Sequence, residues 1–329
     1  MTAFSTPGPP SVSSTKRALL ALGVALASAL YVFLFARANP DFVSDFDQVW
    51  AGASALWHGR NPYEFVGPRG AFLWKWPLYY PMPALVMAAP LGLLPVVLAR
   101  MVFAGVSSAL LAFAITRDGF SRWPLFISLA FVVNVELVQW SSLMAAAALI
   151  PALSWTAVAK PNIGVAIAAS AQSVRSIAIM AGGALLLTGA SFAILPDWVS
   201  QWLANVRSAG HFQPLLVRPG GFLVLAALLR WRRPEARLLV ALAATPLTPT
   251  FYDPVMLFLV ARTFREALVL ALGSLALYFV VAFAAPAPNL EDWGAVVATA
   301  SVWLLYLPCV FMVLRRPNRA DAGLPPANR

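Results

Sequence analysis

Long apolar runs, separated by short polar or basic clusters, dominate the chain. Because a helix needs about 20 apolar residues to cross a bilayer, this pattern predicts an all-α, polytopic bundle of about ten to twelve membrane-spanning helices. Prolines interrupt two stretches, Pro151 to Pro161 and Thr245 to Pro254. We expect non-helical backbone there that lines a cavity or is covered by protein. The predicted spans are 17–37, 80–98, 101–117, 123–140, 141–159, 161–173, 176–195, 217–230, 237–251, 254–265, 266–285 and 293–314.

Two tails flank the predicted bundle, which we place at residues 17–316. Residues 1–16 are rich in Ser, Thr, Pro and Gly and are predicted to be a disordered cytoplasmic tail, with residues 317–329 as a second one. Lys16-Arg17 and the apolar run that follows also resemble a signal peptide. That run has about 18 residues, more than the usual 7–15 of a signal peptide, so we interpret it as a retained first transmembrane helix.

Residues 38–80 are predicted to form an external loop. Four of the thirteen acidic residues of the chain lie there, among four tryptophans and three tyrosines. From Phe46 to His58 apolar residues recur at helical spacing, which predicts an amphipathic helix lying in the membrane interface with its aromatic face in the headgroups. Gly59 ends this helix, and Asn61-Pro62 begins a turn.

Composition and charge agree with a membrane protein. Of the 329 residues 60% are apolar and 11% are charged, with a mean hydropathy of +0.77, whereas soluble domains carry about 25% charged residues. This excludes a cytosolic enzyme, a disordered chain and a secreted disulfide scaffold. The net charge of +10 follows the positive-inside pattern rather than indicating nucleic acid. With twelve spans, the basic clusters predicted to be cytoplasmic are Arg100, Arg175, Arg230 to Arg237, Arg262/Arg265 and the C-terminal arginines.

Two aspartates of the loop are candidates for chemistry. Asp45 stands just before the amphipathic helix, where a partly desolvated carboxylate is suited to general-base catalysis. The alternative is that Asp45 only caps this helix. Asp47 is a candidate substrate-binding residue, and the two carboxylates together could hold a divalent cation.

Polar residues inside apolar runs are the second set of candidates. Lys160 is costly at membrane depth, so it faces a cavity, reaches the interface or pairs with an acid, and it is suited to bind a lipid phosphate. Gln139 and the Tyr252-Asp253 pair are candidates to bind a polar ligand, although the latter also fits a simple turn. Glu136 is either functional or paired with an arginine of a neighbouring helix.

Other common site types are not indicated by the sequence. The two histidines, His58 and His211, lie far apart and are a weak metal signal. The single cysteine, Cys309, excludes an intrachain disulfide and a cysteine-based metal site. There is no P-loop, dinucleotide fingerprint or serine nucleophile elbow, so nothing favours nucleotide hydrolysis.

Several of these motifs resemble the GT-C membrane glycosyltransferases, and within them the family 87, mannosyltransferase-like branch. They are Ser44-Asp45-Phe46, Gly59 to Tyr63 and Tyr79 to Pro83, followed in order by Gln139, Lys160-Pro161 and Thr248 to Asp253. The resemblance is strongest over 40–90 and patchy elsewhere. Only 20 residues separate Gln139 from Lys160, where relatives usually have room for an extra hydrophilic loop.

The resemblance implies a transferase at the outer face of a bacterial cytoplasmic membrane. It would move a mannose-like hexose or a pentose from a polyprenyl-phosphate donor to a lipid-linked or cell-envelope glycan acceptor, with inversion. Asp45 would be the general base of a catalytic loop at 38–80, and Lys160 or Arg60 would stabilise the departing phosphate. Tyr63 would contact substrate. No cofactor is implied apart from the divalent cation considered above, and the partners are the donor, the acceptor and membrane lipids.

Two other functions fit the sequence. Broken helices and intramembrane charges are also typical of a transporter or a lipid-carrier flippase. An accessory membrane subunit without activity is the third alternative. Polar chemistry that crowds one membrane face, together with the lack of a visible internal repeat, favours the enzyme.

Overall fold

The computed structural model describes residues 12–208, 213–246, 253–283 and 290–318, and these are mainly helical, with almost no strand. The α-helices are α1 (Ser14–Ala38), α2 (Asp45–Trp57), α3 (Pro62–Phe65), α4 (Met82–Ala88), α5 (Val96–Ile115), α6 (Leu129–Glu136), α7 (Ser141–Leu149), α8 (Pro161–Ser170), α9 (Val174–Ile194), α10 (Trp198–Arg207), α11 (Pro234–Ala244), α12 (Phe264–Phe283), α13 (Leu290–Ser301) and α14 (Leu307–Leu314). The 3₁₀ helices are Ala89–Leu93, Thr116–Asp118, Trp123–Ile127, Pro151–Ala159, Leu215–Val217, Gly221–Arg230 and Asp253–Leu259, and a π-helical turn, Val302–Tyr306, joins α13 to α14. Two short parallel strands, β1 (Val66–Gly67) and β2 (Phe72–Leu73), pair Val66 with Phe72.

The described residues contain five helices that are long and apolar enough to cross a membrane, or six if the bent pair α6 and α7 counts as one span. This confirms an all-α bundle of the membrane class. Within these described ranges the predicted number of about ten to twelve spans is not reached. The five long helices are α1, Val96–Asp118, α9, α12 and Asp292–Leu314.

Short helices account for the difference. The predicted span 80–98 is α4 followed by the 3₁₀ helix Ala89–Leu93, and the predicted spans 161–173 and 217–230 are ten-residue helices. Prolines begin or interrupt many of these elements, because proline lacks the amide hydrogen of a continuing helix and fixes its own φ angle. Each short helix lies below the length of about 20 residues that a span needs.

The antiparallel pair α1 and α5 defines two ends of the bundle. At one end, the Arg17 guanidinium donates to the Phe113 carbonyl at 2.5 and 3.1 Å. At the other, Arg100 at the start of α5 donates to the Phe42 carbonyl at 3.1 Å, just after α1. We name these the Arg17 end and the α2 end. Arg100 therefore does not share an end with Arg17, and the prediction that Arg100 and the N-terminus lie on the same side of the membrane is wrong.

The N-terminal tail is shorter than predicted. Helix α1 begins at Ser14 rather than at residue 17, because the Ser13 side chain accepts a hydrogen bond from the Lys16 amide at 3.4 Å and caps the helix. Residues 14–16 therefore belong to the first helix.

The predicted amphipathic helix exists as α2, but it is buried in the protein. Phe46, Val49 and Ala53 are fully buried, and α2 packs against α4 and the following 3₁₀ helix. That approach requires Gly92, since a Cβ there would lie 2.7 Å from the Ser54 amide nitrogen. Only Trp57 among the α2 aromatics is largely exposed, at 55%. The placement of this helix in the headgroups is therefore wrong.

Candidate functional site

Asp45 is the first residue of α2 and is half-buried. The N-cap position belongs to Ser44, not to Asp45. Asp47 completes the cap, because its carboxylate accepts hydrogen bonds from the Ser44 amide at 2.9 Å and from the Ser44 hydroxyl at 2.8 Å. The alternative that Asp45 only caps the helix is therefore wrong, and its carboxylate remains a candidate for chemistry.

Asp47 is held by a buried ion pair. Its two carboxylate oxygens accept hydrogen bonds from Arg100, from Nε at 2.7 Å and from Nη2. The Asp47 side chain is 2% exposed and that of Arg100 is 8% exposed. With both oxygens also bonded to Ser44, Asp47 fastens α2 to α5. Asp47 is therefore not a substrate-binding residue and does not help Asp45 to hold a cation.

Gln139 lies at a sharp break between α6 and α7, whose axes bend by 116°. Val138, just before it, has a φ of 53°, which is a strained conformation for a β-branched residue. The turn is fixed by two hydrogen bonds. The main-chain N–H of Gln139 donates to the main-chain carbonyl of Asn134 at 2.8 Å, and the side-chain amide of Asn134 donates to the Ser142 hydroxyl at 2.8 Å. The break thereby directs the buried Gln139 side chain out of the helix.

Gln139 joins Asp45 to Lys160. Its Nε2 donates to Asp45 Oδ2, and its Oε1 accepts from Lys160 Nζ at 3.4 Å. Lys160 is 8% exposed and stands at the start of α8. The short spacing between Gln139 and Lys160 is explained by the packing of α7 against the 3₁₀ helix Pro151–Ala159. The chain leaves the site along α7 and returns to it along this 3₁₀ helix. The predicted span 141–159 is this hairpin.

Aromatic residues pack beside this cluster. The Trp140 ring lies 6.1 Å from that of Tyr80 and 4.8 Å from that of Phe103. The Tyr63 hydroxyl donates to the Tyr80 carbonyl at 3.2 Å, which links Tyr63 to the site through Tyr80. Burial raises the pKa of Tyr63, so its hydroxyl stays protonated. Trp140 is 1% exposed, and its indole N–H has no hydrogen-bond acceptor among the described residues.

The remaining predicted residues lie elsewhere or outside the described part. Arg60 is exposed, contacts the Phe65 ring at 5.5 Å, and lies beyond the far end of α2, about 18 Å of helix from Asp45. Tyr252 lies outside the described residues, and Asp253 begins a 3₁₀ helix without a described side chain. The Pro246 carbonyl, six residues before Tyr252, accepts a hydrogen bond from Asn162 at 3.2 Å. The chain therefore approaches Lys160 just before this segment.

Glu136 and the histidines have local partners. Glu136 accepts a hydrogen bond from the Tyr31 hydroxyl at 2.8 Å. This partner is a tyrosine and not the arginine that was considered as an alternative. His58 Nδ1 lies 2.8 Å from the Ser54 carbonyl of its own helix, and His211 lies outside the described residues. Within the described part of the chain, no group of three or more His, Cys, Asp or Glu side chains could hold a metal ion.

Sequence reasoning missed Arg100 and the indole of Trp140. The only signal for Arg100 was a basic residue inside an apolar run, which was interpreted as a loop charge. Comparison with known proteins adds nothing to this geometry, because no family model, no curated protein and no solved structure matches the chain. The function is therefore inferred from the site itself.

Proposed function

We propose that the protein is an integral membrane glycosyltransferase that moves a sugar from a polyprenyl-phosphate donor to a lipid-linked or cell-envelope glycan acceptor. One observation carries the proposal: the side-chain amide of Gln139 hydrogen-bonds to both Asp45 and Lys160. One cluster thereby supplies a proton acceptor and a cation, which are the two groups that this transfer requires. The sequence resemblance supplies the substrate class and the outward orientation in a bacterial cytoplasmic membrane.

In this mechanism Asp45 takes the proton of the acceptor hydroxyl as its oxygen attacks the anomeric carbon. The bond between that carbon and the phosphate oxygen breaks, and its electron pair leaves with the phosphate. Lys160 stabilises the charge that develops there, and the configuration of the sugar inverts. Gln139 is a positioning residue, because it fixes both charged groups from a strained turn.

The aromatic residues support a sugar ligand. The rings of Tyr80 and Trp140 lie 6.1 Å apart, and Trp140 directly follows Gln139 in the chain. A sugar hydroxyl would satisfy the buried Trp140 N–H. Burying a polar group without a partner costs about 1–3 kcal/mol, so a site that binds a hydroxylated ligand gains by filling this position.

The experiment is the Asp45→Asn variant, assayed in membranes with radiolabelled polyprenyl-phosphate mannose and a membrane lipid extract as acceptor. Loss of a general base lowers the rate of transfer about 10²- to 10⁴-fold. Asp41→Asn is the matched control, because Asp41 is an exposed aspartate of the same loop. Thermal unfolding in detergent verifies that both variants fold. Full activity in a folded Asp45→Asn protein would remove Asp45 as the base.

A transporter or lipid-carrier flippase is the second candidate. It is favoured by the 116° break between α6 and α7 and by the buried Lys160 at the start of α8, since discontinuous helices line transport sites. Reconstituted proteoliposomes distinguish the two functions. Movement of the polyprenyl-phosphate sugar across the bilayer without a glycosylated product would favour transport.

A further inference from the structure

An arginine cluster lies at the Arg17 end, opposite the candidate site. Its centre is Glu235, which is 1% exposed. One oxygen, Oε1, lies 2.6 Å from Arg262 Nη2, 3.5 Å from Arg316 Nη1 and 3.6 Å from Arg233 Nη1. Glu266 adds a second carboxylate, 2.7 Å from Arg316 Nη2. Three distant segments of the chain meet here.

The buried Arg122 belongs to the same cluster. Its Nε donates to the Ala261 carbonyl at 2.8 Å and its Nη2 to the Leu259 carbonyl at 3.4 Å. Burial lowers the pKa of Arg122 to about 10, and the guanidinium stays charged at neutral pH. The Asp118 carboxylate opposes this decrease through its charge, and it also lies 3.8 Å from Arg117.

Positive charge exceeds negative charge throughout this region. Among the described residues, nine arginines lie in this region, namely Arg122 and those of the three segments. The carboxylates there are Glu235, Glu266 and Asp118. Such an excess creates a positive potential that attracts anions. The nine are Arg122, Arg230, Arg232, Arg233, Arg237, Arg262, Arg265, Arg315 and Arg316.

The outer arginines stand among exposed apolar groups. The Arg232 guanidinium lies 5.6 Å from the Trp231 ring, and that of Arg315 lies 5.0 Å from the Phe311 ring. Trp231 is 55% exposed and Phe311 is 60% exposed. Arg265 is exposed beside Phe264, which is 52% exposed. Cations beside exposed apolar side chains at helix ends are typical of the membrane–water interface.

We propose that this arginine cluster binds the phosphate of an anionic phospholipid. The excess of guanidinium groups selects a negatively charged phosphate. The exposed apolar side chains provide contacts for acyl chains, which favours a lipid over free phosphate. The site lies at the opposite end of the bundle from Asp45 and is independent of the glycosyltransferase proposal.

The test uses the purified full-length chain in neutral detergent, titrated with phosphatidylglycerol, with phosphatidylcholine or with inorganic phosphate. Bound lipid is counted by native mass spectrometry. One variant combines Arg232→Gln, Arg265→Gln and Arg315→Gln. The matched control combines Arg37→Gln, Arg69→Gln and Lys75→Gln, which are exposed at the α2 end. It also removes three charges, two of them stacked on the rings of Phe33 and Trp76.

We expect the wild type to bind phosphatidylglycerol in preference to phosphatidylcholine, and inorganic phosphate not to displace it. Each surface arginine contributes about fivefold to such binding, so the cluster variant binds roughly a hundredfold more weakly, and the control variant binds as the wild type. Equal losses in the two variants would overturn the proposal, as would equal binding of the two lipids. Displacement by inorganic phosphate would identify a free-phosphate site instead.

Discussion

The two ends of the bundle both hold charged groups away from water, but with different kinds of partner. At the α2 end one amide, Gln139, contacts both the Asp45 carboxylate and the Lys160 ammonium. At the Arg17 end a single oxygen of Glu235 lies within 3.6 Å of three guanidinium groups. In the first arrangement a neutral side chain at a strained turn contacts both charged groups. The second distributes each charge over several partners.

Two aspartates of α2 show the same contrast within one turn of helix. Asp47 is fixed by Arg100 and Ser44 and is almost fully buried. Asp45, two residues earlier, remains half-buried and reaches Gln139. A carboxylate enclosed by charged donors stabilises a fold, whereas one at the edge of the protein is open to a substrate. This difference separates residues that should affect stability from residues that should affect activity.

The largest effect is expected from Glu235→Gln at the Arg17 end. Removing one partner of a buried ion pair costs about 3–5 kcal/mol, because the remaining charges lose their compensation. We expect the free energy of unfolding in detergent to fall by this amount, while sugar transfer per folded molecule is unchanged.

The control for this variant is Glu64→Gln, an exposed glutamate whose replacement should change stability by less than about 0.5 kcal/mol. If Glu235→Gln does not fold, Glu266→Gln gives a milder version, since Glu266 is only half-buried. A folded Glu235→Gln protein of wild-type stability, or one that folds but loses transfer, would break the contrast between the two ends.

The next effect is a rate effect at the α2 end. Lys160→Gln removes the cation and leaves a side chain that still hydrogen-bonds to Gln139. We expect the rate of transfer from polyprenyl-phosphate mannose to fall about 100-fold, as for other losses of a charge-stabilising donor. Lys75→Gln, an exposed lysine of the same end, is the control. A rate within threefold of wild type, taken as roughly the experimental error of such rate ratios, would leave Lys160 without a catalytic role.

The long helices of the fold follow from the apolar pattern. The predicted spans 17–37, 176–195, 266–285 and 293–314 differ from the observed helices by at most three residues at each end. These helices are largely set by local hydropathy, because each is long enough to span by itself. The short apolar runs did not predict the bounds of their helices, since these bounds depend on prolines and on the elements that cover the helices.

The site was predicted residue by residue but not as an arrangement. Asp45, Gln139 and Lys160 were each identified as polar groups in unusual places, and the structure brings their side chains together. Their catalytic roles stay predictions. The contact itself depends on a 116° bend and a returning hairpin, which no periodicity in the sequence encodes. For the same reason Arg100 was assigned to the wrong end, because its partner is distant in sequence.

The smallest effect is expected from Tyr63→Phe, which tests whether Tyr63 supports the fold or the substrate. Its hydroxyl bonds to a main-chain carbonyl, and a hydrogen bond of this kind contributes about 1 kcal/mol. We expect the free energy of unfolding to fall by that amount. The KM for the donor should stay within about twofold of wild type, which corresponds to a loss of binding free energy of roughly 0.4 kcal/mol or less.

The pH dependence of stability sharpens this last test. Burial raises the pKa of Tyr63 in the folded protein, whereas the unfolded chain titrates near about 10. The unfolded state therefore loses its proton first, and the stability that this group contributes falls as the pH rises above about 10. The wild type should lose stability more steeply than Tyr63→Phe between about pH 10 and 11 in denaturant titrations. Parallel curves, together with a large increase in KM, would mean that the hydroxyl meets substrate rather than the Tyr80 carbonyl.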